Sequence, residues 1–318
     1  MFRGFNLEIT KDYFKSRFEE YKEKGETHLK KQKVVYESEL QKYITDTYMN
    51  GSKIQDSWFP QIDADIFISH SHDDKELAWA LAGWINEVFC LKCFIDSNVW
   101  GYSANLLKIM NSKLSNERKS TDGGYLYDYK SCNQVSEHVN NMLSIALQKM
   151  IDKTEAIILL NTENSIQICT SDNMNLTYSP WIYSEIICTQ IVRKKPLIVY
   201  RDYSYLKHSD PHKMLFENVN DKMDFIISYT VPLTHLIKLT EEKLLKWYQE
   251  YNKDNIVKYD YSLDALYRLF LDKELGYAHA MYECIPSYDL KFVKQYYSGI
   301  SMATEETEKA ERIIKSLF

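Results

Sequence analysis

The sequence predicts an α/β protein: a flavodoxin-like, doubly wound parallel sheet of about five strands, with helical N- and C-terminal extensions. Two observations lead there. Short β-rich runs recur at residues 65–69, 93–95, 155–160 and 196–200, with a further candidate at 225–231. Helical segments fill the intervals between them, and strands that alternate with helices imply a parallel sheet covered on both faces.

Taken in order, residues 1–60 are charged and helix-prone. Phe14, Phe18 and Tyr21, then Val35, Leu40, Tyr43, Ile44 and Tyr48, fall at amphipathic spacing, with a break near Gly25 and an end at Asn50-Gly51. Such an N-terminal extension cannot bury itself and has to pack on the central domain or on another chain. The α/β domain is expected over 61–232. Its first helix, 74–89, places Leu77, Leu81, Trp84 and Val88 on one face. Further helices are expected within 104–114, 134–151 and 180–192, the last started by Pro180. Residues 116–129, with Asp122-Gly123-Gly124, read as a loop insertion. From 233 to 318 the pattern is helical again, at 241–251, 263–271, 290–297 and 305–317, as a cap or an assembly surface.

Composition narrows the function classes. The 318 residues are 45% hydrophobic and 26% charged, an ordinary balance for a protein with a sizeable core. A net charge of -6 speaks against a nucleic-acid binder that works through a broad basic surface. No apolar leader opens the sequence and its longest apolar runs are strand-sized, so neither a signal peptide nor a membrane span is expected. Six cysteines without a regular framework read as reduced thiols in a cytoplasm. Cys90-Leu91-Lys92-Cys93 has redox or zinc spacing, but no second pair lies nearby, and it straddles a helix end and a strand start.

On a sheet ordered 2-1-3-4-5, ligands sit beyond the strand carboxyl ends, at the switch point between the first and third strands. The segments expected there are Ser69-His70-Ser71-His72 and Asn161-Thr162-Glu163-Asn164-Ser165, both dense in polar groups directly after apolar strands.

Three motifs, in the right order, resemble a known family. Asp65-Ile66-Phe67-Ile68-Ser69-His70-Ser71-His72-Asp73-Asp74 is similar to the opening strand and loop of Toll/interleukin-1-receptor (TIR) domains. Phe94-Ile95-Asp96, followed by Trp100-Gly101-Tyr102, resembles the second strand and the loop after it. Ser179-Pro180-Trp181-Ile182-Tyr183-Ser184-Glu185 resembles the family's Trp-x-x-x-Glu helix start. The resemblance covers roughly residues 64–205, under half the chain, and the 116–130 insertion and the long 162–178 stretch depart from a minimal TIR domain. It implies that Glu185 is catalytic, in an enzyme that cleaves the nicotinamide–ribose bond of NAD. The layout resembles bacterial stand-alone TIR proteins, many of them in antiphage defence and some Thoeris-type signal synthases. NAD would then be a substrate and no cofactor would be required. Self-association through the TIR domain and the helical flanks, and a downstream effector sensing the product, are the partners implied.

Weighed on their own chemistry, Trp181 and Glu185 are four apart and share a helix face, with Ile182, Ile186 and Ile187 holding the adjoining faces in the core. Nicotinamide leaves as a neutral base, so one carboxylate near the ribose suffices to orient hydroxyls and stabilise developing oxocarbenium charge. Trp100 and Tyr102 are loop aromatics that either stack on a ligand base, bury in a neighbouring protomer or dock on their own domain. His70 and His72 are candidates for ribose or phosphate contacts, or for orienting the loop. A metal is not expected there, because Asp73 and Asp74 begin the helix. Ser69, Asp96 and Asn161 complete the substrate-binding candidates. No Gly-x-Gly-x-x-Gly follows the first strand and no Walker pattern occurs, so a dehydrogenase or an ATPase is not expected. A non-catalytic TIR-type interaction module and a nucleoside deoxyribosyltransferase-like enzyme are the rival readings.

Overall fold

A computed structural model of the chain describes residues 1–32, 50–100, 103–115, 118–119, 125–169, 174–195, 200, 227–252 and 262–270. In chain order, β1 (Arg3–Glu8) leads through a 3-10 turn into α1 (Phe18–Gln32), and α2 (Gly51–Trp58) precedes β2 (Ile66–Ser69), α3 (Lys75–Phe89) and β3 (Cys93–Phe94). Then come α4 (Asp96–Val99), α5 (Ser103–Leu114), a hairpin of β4 (Arg118–Lys119) and β5 (Tyr125–Leu126), α6 (Tyr129–Lys153) and β6 (Ala156–Leu160). After β7 (Gln167–Cys169), β8 (Met174–Thr177), α7 (Pro180–Ile191) and β9 (Tyr229–Thr230) follow β10 (Ile237–Thr240), α8 (Glu241–Asn252) and α9 (Ser262–Arg268).

Five of these strands form one parallel sheet in the order β10-β1-β6-β2-β3. Read from the β3 edge, β3-β2-β6 is the 2-1-3 half of a flavodoxin-like order, and the chain is an α/β protein compatible with that fold. The fourth and fifth positions depart from expectation, the fifth being taken by β10 from the region beyond 233 that is expected to be helical. Residues 1–60 are expected to form a helical extension outside the sheet, yet β1 fills the fourth position, pairing with β6 from Arg3↔Ala156 to Leu7↔Leu160 and with β10 from Phe5↔Ile237 to Glu8↔Thr240. The physical reason is period-two alternation: Phe5, Leu7 and Ile9 are buried while Asn6 and Glu8 are not. Gly4 fits the crowded strand because a Cβ there would come within 2.6 Å of Leu236 and 3.2 Å of Ile157.

The other expected strands divide. Residues 196–199 lie outside the described residues, so the 196–200 strand does too. Within 225–231, Tyr229–Thr230 is a strand, but it pairs antiparallel with β8 in a separate three-stranded sheet, β7-β8-β9. That small sheet uses the long stretch between β6 and α7, and the expected loop at 116–129 holds the β4–β5 hairpin.

Both faces of the parallel sheet are buried, and β6 shows how. Ala156, Ile158 and Leu160 belong to a core with α1, α3, α8 and α9, whereas Ile157 joins Phe67 in a second core with α2, α5 and α6. Leu159, on the same side as Ile157, packs instead with Ile182 and Ile186 of α7 and with Val231, Leu233 and Leu236. The C-terminal helices belong to the first core: Trp247 stacks on Phe89 at 3.8 Å between ring centroids, 5° from parallel, and its Nε1 donates to Ser262 O at 2.8 Å. The helices expected at 290–297 and 305–317 lie outside the described residues. Among the described residues no helix is long and apolar enough to cross a membrane.

Two N-terminal expectations are corrected by close packing. Gly25 does not break α1, which runs through it. It lets α1 touch α3: a Cβ on Gly25 would fall 1.9 Å from Trp79 O, and one on Gly83 would fall 2.0 Å from Tyr21 O. Asn50-Gly51 is a helix start, with Asn50 Oδ1 accepting from Lys53 N at 3.0 Å as the N-cap of α2. The stretch 33–49, with Val35, Leu40, Tyr43, Ile44 and Tyr48, lies outside the described residues. Cys90 ends α3 in a left-handed conformation (φ 57°) and Cys93 is buried in β3, both as free thiols.

In an isolated helix, replacing Gly83 with Ala would stabilise by about 1 kcal/mol. Here the facing backbone leaves no room, so Gly83→Ala is expected to lower the urea midpoint of unfolding by the equivalent of ~1–3 kcal/mol. A raised or unchanged midpoint would refute the crossing-point packing.

Candidate functional site

The residues that can do chemistry gather beyond the carboxyl ends of β2 and β3. Ser69 is the last residue of β2, and burial of the whole strand holds its hydroxyl in place. It donates from Oγ to Glu185 Oε2 at 2.5 Å. Glu185 lies in the second turn of α7, a helix whose start is written in its first residues. Ser179 Oγ accepts from Ile182 N at 3.2 Å as N-cap, and Pro180 occupies the first position. Ile182 and Ile186 are buried against Leu159, which turns Glu185 inward, where it is only 4% exposed.

A pocket of about 210 Å³ opens beside this carboxyl group, lined by His70, His72, Asp96, Trp100, Trp181 and Glu185, with Ser97, Ser103, Leu143, Ser179 and Ile182 between them. Of the substrate-binding candidates, His70, His72, Asp96, Trp100 and Trp181 therefore meet around Glu185, and Ser69 braces it. Trp100 is also docked on its own domain. It is 2% exposed, donates from Nε1 to Pro60 O at 2.8 Å, and packs edge-on to Phe59 and Phe94. Tyr102 lies outside the described residues.

Asn161 is placed elsewhere. Its N–H donates to Leu7 O at 2.8 Å, extending the β1–β6 ladder, and its side chain does not line the pocket. The neighbouring polar residues are engaged in a clasp: Thr162 Oγ1 and Asn164 Nδ2 both donate to the buried carboxylate of Asp74, the latter at 2.8 Å. That clasp joins the loop after β6 to the entry of α3. At the carboxyl ends of β2 and β6 these side chains thus satisfy one another, and the pocket beside Glu185 is lined instead by residues that follow β2 and β3 and by α7. The serines at 97 and 103 carry no sequence signal of their own, whereas Ser179 opens the Ser179–Glu185 motif.

The electrostatics of the pocket are set by burial. It pushes the Glu185 carboxyl well above the usual carboxylate range; the nearby Asp96 charge acts in the same direction, and the Ser69 hydrogen bond opposes both. Asp96 is raised as well, again by burial first, against the backbone N–H groups of Ser97 and Asp96 and the proximity of His72. Two carboxyl groups facing one small space do not readily ionise together. Burial lowers His70 to about 4, which leaves its imidazole neutral at neutral pH. Both of its ring nitrogens are screened from solvent, and the Ile68 backbone lies within reach of the ring. Among the described residues, no three His, Cys, Asp or Glu side chains group as metal ligands.

Comparison with known protein families, curated proteins and solved structures finds no match to this chain. What the fold and the site define is therefore a class: a doubly wound parallel α/β protein with two carboxyl groups and two indoles lining a pocket above its strand ends.

Because Glu185 binds its proton more tightly in the folded chain than in the unfolded one, its burial lowers stability as pH rises above the ordinary carboxylate range. Glu185→Gln removes that penalty while keeping an acceptor for Ser69. The variant is expected to unfold at higher urea than the wild type at pH 7, with the gap closing below about pH 4. A variant less stable at pH 7 than the parent would show that the ionised carboxylate supports the fold instead.

Proposed function

We propose that the chain is a TIR-like NAD glycohydrolase or cyclase, with Glu185 as its catalytic carboxylate. The observation that supports this best is the enclosure of Glu185: a carboxyl group 4% exposed, braced by Ser69 and sharing a pocket with Trp181, one helical turn earlier. A solvated surface glutamate, the bland alternative for a lone Glu on an amphipathic helix, would have neither. Pockets for whole drug-sized ligands span roughly 300–1,000 Å³, so a volume near 210 Å³ suits one end of a dinucleotide, the nicotinamide riboside end.

The chemistry follows from the group present. The bond between nicotinamide nitrogen and ribose C1′ breaks, its electron pair going to the nitrogen, which leaves as a neutral base. The ribosyl unit becomes oxocarbenium-like, and a carboxylate beside it stabilises the positive charge. Water adds its oxygen to C1′ and gives up a proton to give ADP-ribose; a nucleophile from within the same molecule gives a cyclic product. The ionised form of Glu185 is needed, and the arriving cation favours it. His70 and His72 line the same pocket, and His72 lies beside Asp96.

Self-association belongs to the same reading. Exposed Ile168, Met174 and Ile227 lie on or beside the small antiparallel sheet, and Ile191 at the end of α7 is exposed as well. Tyr183 of the same helix stacks on Tyr229 of that sheet at 4.7 Å, so a partner seated there would press on the helix that carries Glu185. A role in antiphage defence, with an effector that senses the product, completes the proposal on family resemblance.

Purified protein incubated with NAD, dilute and under crowding that promotes assembly, is expected to release nicotinamide. Glu185→Gln, folded by circular dichroism, is expected to lose at least ~100-fold of that rate. Equal rates in the two proteins, or no release in any condition, would leave the non-catalytic module as the better reading, and cleavage of deoxynucleosides instead would favour a deoxyribosyltransferase-like enzyme.

A further inference from the structure

The pocket has an imbalance of charge that its geometry does not resolve internally. Glu185 and Asp96 both line it, and no Lys or Arg is among its lining residues. The basic side chains there are the two histidines, of which His70 is kept neutral by its burial and His72 lies near Asp96. Ser69 supplies a neutral hydroxyl to Glu185, not a counter-charge. A buried anion without a cation is expensive, and it is relieved either by a proton or by a positive ligand. The remaining walls suit the second outcome, since the indoles of Trp100 and Trp181 belong to the side chain that attracts cations most strongly.

We propose that this pocket is a cation receptor: its paired carboxyl groups and paired indoles recognise the positive charge of a flat N-substituted pyridinium ring, and not its shape alone. The inference rests on the NAD reading for the identity of the ring. The charge preference follows from the residues that line the site. In the empty pocket a proton stands in for the missing cation. When the pyridinium enters it displaces that proton, and the second carboxylate ionises beside the sugar it is to act on. Recognition and activation of Glu185 are then one event, and a neutral analogue of the same outline enters without triggering it.

The experiment compares two ligands of nearly equal shape, 1-methylnicotinamide, a permanent pyridinium, and nicotinamide, which is neutral. Both are titrated into the full chain at pH 7, followed by tryptophan fluorescence and by calorimetry. The wild type is expected to bind the pyridinium at least ~10-fold more tightly, the scale at which a buried cation–aromatic contact operates. In Asp96→Asn that preference, read as the ratio of the two affinities, should fall towards unity. Glu185→Gln, whose fold is not expected to suffer, gives a second measure of the same loss. Equal affinity for the two ligands in the wild type, or an undiminished preference in both variants, would overturn the proposal. The binding measurement needs no turnover. Selection of the pyridinium without NAD cleavage supports the receptor while the enzymatic reading falls; Glu185-dependent cleavage without charge preference overturns the receptor and leaves the enzyme standing.

Discussion

Everything in this molecule is hung on β6. Five consecutive apolar residues, Ala156 to Leu160, are buried, with β1 bonded along one edge and β2 along the other. A strand in that position has no polar face to turn to water, so it dictates cover on both sides. Helices α1, α3, α8 and α9 cover one face, and α2, α5, α6 and α7 share the other. The site inherits its rigidity from this arrangement. Ser69 is held at the end of a fully buried strand, and α7 is held by Leu159 of β6, so the hydrogen bond from Ser69 to Glu185 spans two elements that cannot drift independently.

A buried carboxyl group of this kind is a liability to the fold unless something compensates for it. The protein supplies one hydroxyl and otherwise leaves Glu185 against Asp96 and two indoles. By contrast, Asp74, only a few residues from the pocket, receives two side-chain donors, Thr162 and Asn164. The difference between these two acids is informative. One is a fastener whose needs are met within the chain; the other is left wanting beside an open space, which is the pattern expected where binding energy is to be used on a ligand.

Much of this was legible in the sequence. The apolar runs at 66–68 and 156–160 and the Ser179-Pro180 helix start predicted β2, β6 and α7, and the Trp181–Glu185 spacing placed both side chains on one face towards one pocket. Other features were hidden for definable reasons. The alternation in β1 is short and sits among charges, so its membership of the sheet depends on partners about 150 and 230 residues away, which no local window contains. Gly25 reads as a helix breaker because propensity is a local property, whereas its role is set by Trp79 O on a different helix. Topology says where ligands gather but not which side chains line the space, and the backbone of Asn161 is engaged in the β1–β6 ladder, away from the pocket beside Glu185. Ser97 and Ser103 of the pocket have no periodic or spacing signature at all.

The position of β1 bears on how the chain is made. This strand precedes all its neighbours, yet it belongs in the interior of the sheet, between β6 and β10. During synthesis its unpaired edges and the apolar side chains of Phe5 and Leu7 stay without a home until residue 160 is available on one side and residue 240 on the other. Contacts of such sequence separation form slowly, and an orphan strand is an invitation to wrong pairing. A strand that waits for partners this far along the chain is exposed to wrong pairing for longer than one that follows its neighbours, so the cost of this topology falls on the yield of folding rather than on the stability of the finished sheet.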